Sequence, residues 1–135
     1  MDILQSHAAL KQDFVYTSED EDYWELWPYT GKIYDDCDGF SLNLVKRHFQ
    51  GFWKPIFQKK AVLYHCQYYG VGHMVVKIDD YYCDNITYTP FKTIPAGYTN
   101  FSSYSRFAVV MNMFVFKAEW KYRFRKWVKG LFNKA

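Results

Sequence analysis

The chain of 135 residues predicts an α+β fold in which one helix packs on an antiparallel β-sheet. Apolar residues recur at helical spacing through Phe40, Leu44, Val45 and Phe49. From Ala61 to Asp84, short runs of β-branched and aromatic residues alternate, and connections too brief for a crossover join them, so neighbouring strands run antiparallel. Aromatic residues make up 22% of the chain, a composition that suits strands around a bulky core or cleft. The length fits a single domain over residues 1–135, large enough to bury a core without staples.

Taken in order, residues 3–15 predict a short helix, and Thr17–Asp22 a solvated acidic connector or a helix start. Tyr23-Trp24-Glu25-Leu26-Trp27-Pro28-Tyr29 is an aromatic cluster stopped by Pro28, with Thr30-Gly31 as a turn. It suits a cover for the core or one wall of a cleft leading to Cys37. The next helix starts at Cys37, with Asp36 or Asp35 as its cap, and ends near Gly51. Ala61–Tyr69 reads as a strand with Val62, Tyr64, Cys66 and Tyr68 on one face and Leu63, His65 and Gln67 on the other. Gly70-Val71-Gly72 is a turn, His73–Ile78 a second strand, Asp79-Asp80 a tight turn and Tyr81–Asp84 a third strand. Ile86–Phe91 extends the sheet, a loop bracketed by Pro90 and Pro95 runs to about Ser105, and the apolar stretch Arg106–Phe116 forms a final central strand. The tail, residues 117–135, is a basic amphipathic helix with Trp120, Phe124, Trp127, Val128 and Leu131 on one face.

Charge is distributed unevenly. Residues 1–40 carry ten acids against two bases, and residues 41–135 fifteen bases against four acids. The acidic aromatic segment 1–32 is therefore an intramolecular partner for the basic tail, which otherwise suits a nucleic acid or a membrane surface. No apolar run approaches the roughly 20 residues of a membrane span, and the N-terminus lacks a basic region followed by an apolar one. These features predict a protein without a signal peptide, working in the cytoplasm. Cys37, Cys66 and Cys83 form an odd, widely spaced set without a CxxC pair, which predicts reduced thiols. A zinc site from these cysteines and His73 lacks paired-ligand spacing.

Chemistry concentrates around Tyr34-Asp35-Asp36-Cys37-Asp38-Gly39-Phe40, where a lone cysteine lies among three aspartates at a predicted helix start. A thiol there meets unsatisfied N–H groups and the positive end of the helix dipole, which predicts a lowered pKa and a nucleophilic sulfur. A cysteine nucleophile needs a base and a group that orients the base. His73 opens a strand after a glycine-rich turn, and Asp84 ends the next strand of the same hairpin, so the two are predicted cross-strand neighbours. Cys66 and Cys83 read as core thiols, and His7, His48 and His65 have no predicted partner.

The segments Asp36-Cys37-Asp38-Gly39-Phe40-Ser41-Leu42, Gly72-His73-Met74-Val75-Val76 and Tyr82-Cys83-Asp84-Asn85-Ile86-Thr87 resemble the three signature blocks of the bacterial transglutaminase-like cysteine peptidases, a papain-like family with small phage-encoded members. The resemblance spans roughly residues 33–110. It implies a papain-like fold with Cys37 as nucleophile, His73 as base and Asp84 as orienter, acting on a protein or peptide substrate through a thioester acyl-enzyme. Where an amine outcompetes water, the same site is a transamidase. In calcium-dependent members the acidic residues flanking the cysteine bind the ion, and Asp36 and Asp38 hold those positions; otherwise no cofactor is required. Gly39 stands where the family usually has an acid. The Cys37 N–H is an expected oxyanion donor, with Trp27, Tyr29 or Tyr34 as candidates for a second. The alternative is a catalytically silent interaction module that keeps the fold and, if phage-encoded, binds a host protein in the host cytoplasm.

Overall fold

The computed structural model describes residues 1–18 and 24–115. The predicted basic helix at 117–135 lies outside the described residues. Helix α1 (Ile3–Asp13) opens on a capping box: Asp2 Oδ1 accepts from Gln5 N at 2.8 Å, and Gln5 Oε1 accepts from Asp2 N at 3.1 Å. Strand β1 (Phe14–Tyr16) pairs in parallel with β2 (Ile33–Asp35), placing Tyr16 beside Asp35. Helix α2 (Cys37–Phe49) begins at the next residue but one, and Asp36 caps it, its Oδ1 accepting from the N–H groups of Asp38 and Gly39. Gln50 closes this helix in the left-handed conformation, and a short helix α3 (Trp53–Phe57) follows.

A four-stranded antiparallel sheet carries the rest, with β3 (Ala61–Tyr68), β4 (Val71–Ile78), β5 (Tyr81–Cys83) and β6 (Tyr98–Ser103) ordered β5-β4-β3-β6. The two hairpin turns each place two consecutive residues at positive φ, Tyr69-Gly70 and Asp79-Asp80, the backbone twist that matches right-twisted strands. The strand therefore begins at Val71 rather than His73, and the first turn is one residue earlier than predicted.

Both sheet faces are covered. Ala61, Leu63, Met74, Val76, Ile78 and Cys83 pack with Phe40, Leu44 and Val45 of α2 in the main core. Cys66 and Val75 form a second cluster with Tyr98, bordered by Tyr68, Tyr82, Phe91 and Phe101. The predicted division of β3 between two faces is thus observed. Ser6 and His48 join α1 to α2 through a 2.7 Å hydrogen bond, and Arg47 meets Asp13 at 2.9 Å. The aromatic segment lies along α2, where Asn43 Oδ1 accepts from Trp27 N at 2.7 Å and Lys46 Nζ donates to Trp27 O at 2.7 Å. Trp24 is buried against Tyr104, so this segment covers the core.

Three predicted elements differ. The stretch predicted as a final strand is helical over its described residues: Arg106–Val110 is helix α4, Met111–Val115 continues it as a π-helical turn, and Phe116 lies outside the described residues. Ser105 caps α4 by accepting from Ala108 N, and Val109 and Met113, four residues apart, are buried while Phe107 and Phe114 are exposed. An apolar run of this length fits either period, and the cap favours the helix. Ile86–Phe91 does not extend the sheet beyond a single bridge between Tyr82 and Phe91. The expected loop after Pro95 contains the edge strand β6, whose alternation is broken by a register shift opposite His65 and Gln67 and by Asn100 at φ 57°. Among the described residues, no helix is long and apolar enough to cross a membrane.

Candidate active site

The site lies where β4 and β5 part. Their register ends at Val76 opposite Cys83, and the chain then leaves the sheet, carrying Asp84 past the end of β5. One further step in that register sets Asp84 diagonal to His73 on the same face. His73 Nε2 and Asp84 Oδ2 are 2.8 Å apart, with 5% and 0% of the side chains exposed. The two are cross-strand neighbours as the hairpin predicts, although His73 is the third residue of its strand rather than the first and Asp84 lies just beyond the end of the next.

Asp84 is held from every side. Its Oδ1 accepts from Thr87 N at 3.0 Å and Thr87 Oγ1 at 2.7 Å, and its Oδ2 accepts from the Tyr98 hydroxyl as well as from His73. Burial alone would raise its pKa, but the hydrogen bonds from His73, Tyr98 and Thr87 outweigh burial and hold it at about 2. Burial, followed by the Asp84 bond, pushes the Tyr98 phenol well above its ordinary range. A carboxylate only accepts, so His73 Nε2 carries the hydrogen and, in the neutral ring, Nδ1 carries the lone pair. Nδ1 makes no hydrogen bond to a described residue.

Cys37 occupies the first turn of α2, as predicted, and is half-buried. It lines one cavity of about 270 Å³ together with Tyr16, Tyr68, Val71, Gly72, His73, Asn85 and Ile86. Cys37 and His73 therefore border the same space. They are not hydrogen-bonded, however, because Cys37 Sγ donates to Asp38 Oδ1 at 3.6 Å. The expected lowering of the thiol pKa is reversed. Burial, then the Asp38 charge, pushes it up to about 12, and the Met74 N–H only partly opposes them. The dipole reasoning failed because it left out desolvation and the two carboxylates beside the sulfur.

Asp35 is buried between the backbone and Trp27. Its Oδ1 accepts from Asp36 N at 2.8 Å and its Oδ2 from Trp27 Nε1 at 3.1 Å. This carboxylate explains Gly39: a Cβ there would lie 2.0 Å from Asp35 Cγ. Asp36 Oδ1 is committed to two backbone N–H groups, and among the described residues no group of three or more His, Cys, Asp or Glu comes together to hold a metal. Asp36 and Asp38 are thus far short of the six to eight oxygen ligands calcium takes, and no step below runs through calcium.

Of the candidate second oxyanion donors, the Trp27 indole is taken by Asp35, the Tyr29 hydroxyl reaches Gln50 O, and Tyr34 does not line the cavity. Two histidines without a predicted partner acquire one. His48 binds Ser6, and His7, buried against Phe40, donates from Nε2 to Asp84 O at 2.8 Å. No local sequence signal could have found the link from His7 to Asp84, because it joins residues 77 positions apart. Cys66 and Cys83 are buried core thiols. No family model matches the chain, and neither a curated protein nor a solved structure is significantly similar to it.

Proposed function

We propose that the protein is a papain-like, transglutaminase-like cysteine peptidase or amidase that cleaves an amide bond of a protein or peptide substrate. The observation that carries this reading is the His73–Asp84 pair. Its carboxylate fixes Nε2–H and leaves Nδ1 as the basic nitrogen on a ring that lines the same cavity as Cys37. The chain order Cys, His, Asp and the helix and sheet positions of these residues accord with the three signature blocks, on which the resemblance rests.

In the proposed reaction, substrate entering the cavity displaces the thiol from Asp38. His73 Nδ1 takes the thiol proton as Sγ attacks the carbonyl carbon, so ionisation of a thiol with a pKa of about 12 is coupled to attack rather than preceding it. The protonated ring then delivers the proton to the leaving amine, and water activated by His73 releases the acid from the thioester. Asp84 stabilises the imidazolium without taking its proton.

A fluorescent peptidyl acyloxymethyl ketone tests the pairing. It should label Cys37, fail to label Cys37→Ala and label His73→Ala far more slowly. Equal labelling of wild type and His73→Ala would exclude His73 as the base.

One observation favours a second reading, a catalytically silent interaction module. The thiol rests on Asp38, in its protonated form, without contact to His73. That reading expects Cys37→Ala to keep every partner interaction and the wild type to resist the probe.

A further inference from the structure

Asn85 stands next to Asp84 and lines the cavity of Cys37 and His73. Its Oδ1 is the one buried side-chain oxygen or nitrogen among the described residues without a hydrogen bond, and its Nδ2 donates to no described residue either. Buried polar groups are paired in the great majority of cases, and leaving one unpaired costs roughly 1–3 kcal/mol. An unpaired buried amide oxygen beside Cys37 and His73 is therefore unusual in a place where a hydrophobic side chain would be cheaper.

The backbone around it is held firmly. Asp84 is clamped through its carboxylate by His73, Tyr98 and Thr87, and its carbonyl accepts from His7 Nε2 at 2.8 Å, which fixes the peptide unit leading into Asn85. A backbone fixed before the reaction limits how far its side-chain donor must reorganise as charge develops, a property that suits an oxyanion donor. The Cys37 N–H is left over by the helix cap, since Asp36 Oδ1 takes the N–H groups of Asp38 and Gly39, and Cys37 lines the same cavity. The upstream aromatic residues considered for the second donor are committed elsewhere or lie outside the cavity.

We infer that the Asn85 side-chain amide is the second oxyanion donor, acting with the Cys37 backbone N–H on the carbonyl oxygen of the substrate. The inference rests on the proposed acyl transfer. As the C–S bond forms, the carbonyl π electrons move to oxygen, where Asn85 Nδ2–H and Cys37 N–H hold the charge. The C=O bond then reforms, the bond to the leaving group breaks, and the thioester remains on Cys37. The Asn85 side chain makes no hydrogen bond among the described residues, so its amide is free to strengthen its interaction in the transition state alone.

The test compares two reactions of the same sulfur. p-Nitrophenyl acetate acetylates a thiol through an oxyanion, whereas iodoacetamide alkylates it by displacement at carbon and develops none. Rates are read by mass spectrometry on the peptide containing Cys37, for wild type, Asn85→Ala and the near-isosteric Asn85→Leu, with thermal unfolding alongside. Acetylation should fall on the order of 100- to 1,000-fold in both variants, the usual loss for one oxyanion donor. Alkylation should stay within about twofold of wild type, because the thiol itself is untouched. Melting temperature should hold or rise, because the amide removed had no partner. Acetylation that depends on His73 but is unchanged in both Asn85 variants would overturn this inference and leave the peptidase reading standing. Parallel loss of acetylation and alkylation would also overturn it, since Asn85 would then be shaping the thiol rather than the oxyanion. A wild-type Cys37 that is never acetylated would overturn the peptidase reading and this inference with it.

Discussion

At Cys37 two carboxylates and burial outweigh the helix terminus. The thiol is protonated at neutral pH and rests on Asp38. Replacing Asp38 with Asn removes the charge that, after burial, raises the thiol pKa, so iodoacetamide should alkylate the Cys37 of Asp38→Asn faster at pH 7. The gain should be on the order of tenfold for each pKa unit recovered, read by mass on the Cys37 peptide. An unchanged rate would mean that Asp38 does not govern the thiol. Asp84 makes the opposite kind of prediction. Its folded pKa of about 2 lies below the 3.8 of an ordinary aspartate, so it contributes stability above about pH 4, and that contribution is lost as pH falls through about 2. Asp84→Asn should flatten this acid limb of the stability curve, monitored by circular dichroism. It should also lower acyl transfer on the order of 10,000-fold by releasing the His73 tautomer. The pairing of His73 with Asp84 and the place of Cys37 at the start of α2 were legible because order and hairpin spacing are local properties. The protonation of Cys37 was not, because burial and the direction of the Asp38 side chain are three-dimensional.

At the scale of elements, the start of α2 is the most constrained junction in the described residues. Asp35 is buried against Gly39 and binds both Asp36 N and the Trp27 indole, while Asp36 caps the helix. Gly39→Ala would drive a methyl into the Asp35 carboxylate and should destabilise the protein by about 1–3 kcal/mol, the usual range for overpacking. Urea unfolding measures this, and a variant as stable as wild type would show that Asp35 can move aside freely. Helix α2 and the β3-β4-β5 hairpins were legible because their periodicity is clean and each is punctuated by a cap or a turn. Strand β6 was hidden because a bulge and the left-handed Asn100 break its alternation. Helix α4 was misread because the run Phe107-Ala108-Val109-Val110-Met111 carries no polar face to reveal its period, and only Ser105 marks its start.

At the scale of the molecule, packing on both faces of one sheet buries the Cys66 and Cys83 thiols and the Tyr98 phenol and half-buries the Cys37 thiol, all groups with acidic protons to lose. Burial raises Cys37 and Cys83 to about 12, Cys66 to about 11 and Tyr98 higher still. Each folded pKa lies above its unfolded value, so the stability these groups contribute is fully present below about pH 9 and is lost as pH rises through 11 and 12. Chemical denaturation from pH 7 to 12 should therefore show a steep alkaline decline, reduced in Cys66→Ser only if that thiol takes part in it. An equal midpoint at both ends of this range would contradict the burial of these groups as drawn. The α+β class was legible from composition and alternation. The attraction expected between acidic and basic halves appears among the described residues as Arg47 on Asp13, and otherwise the aromatic segment is held mainly by hydrogen bonds from α2. Net charge identifies a tendency to associate, not the contacts that realise it.

The central claim is that His73 serves Cys37 as its base, and the pH dependence of Cys37 acetylation by p-nitrophenyl acetate tests it most directly. With His73 taking the proton during attack, wild-type acetylation should level off well below the thiol's own ionisation at about 12. In His73→Ala the rate should be much lower at neutral pH and climb continuously into the alkaline range as the thiol ionises. Superimposable profiles for the two proteins, both climbing with thiol ionisation, would show that the imidazole does no work at the sulfur and would contradict the account.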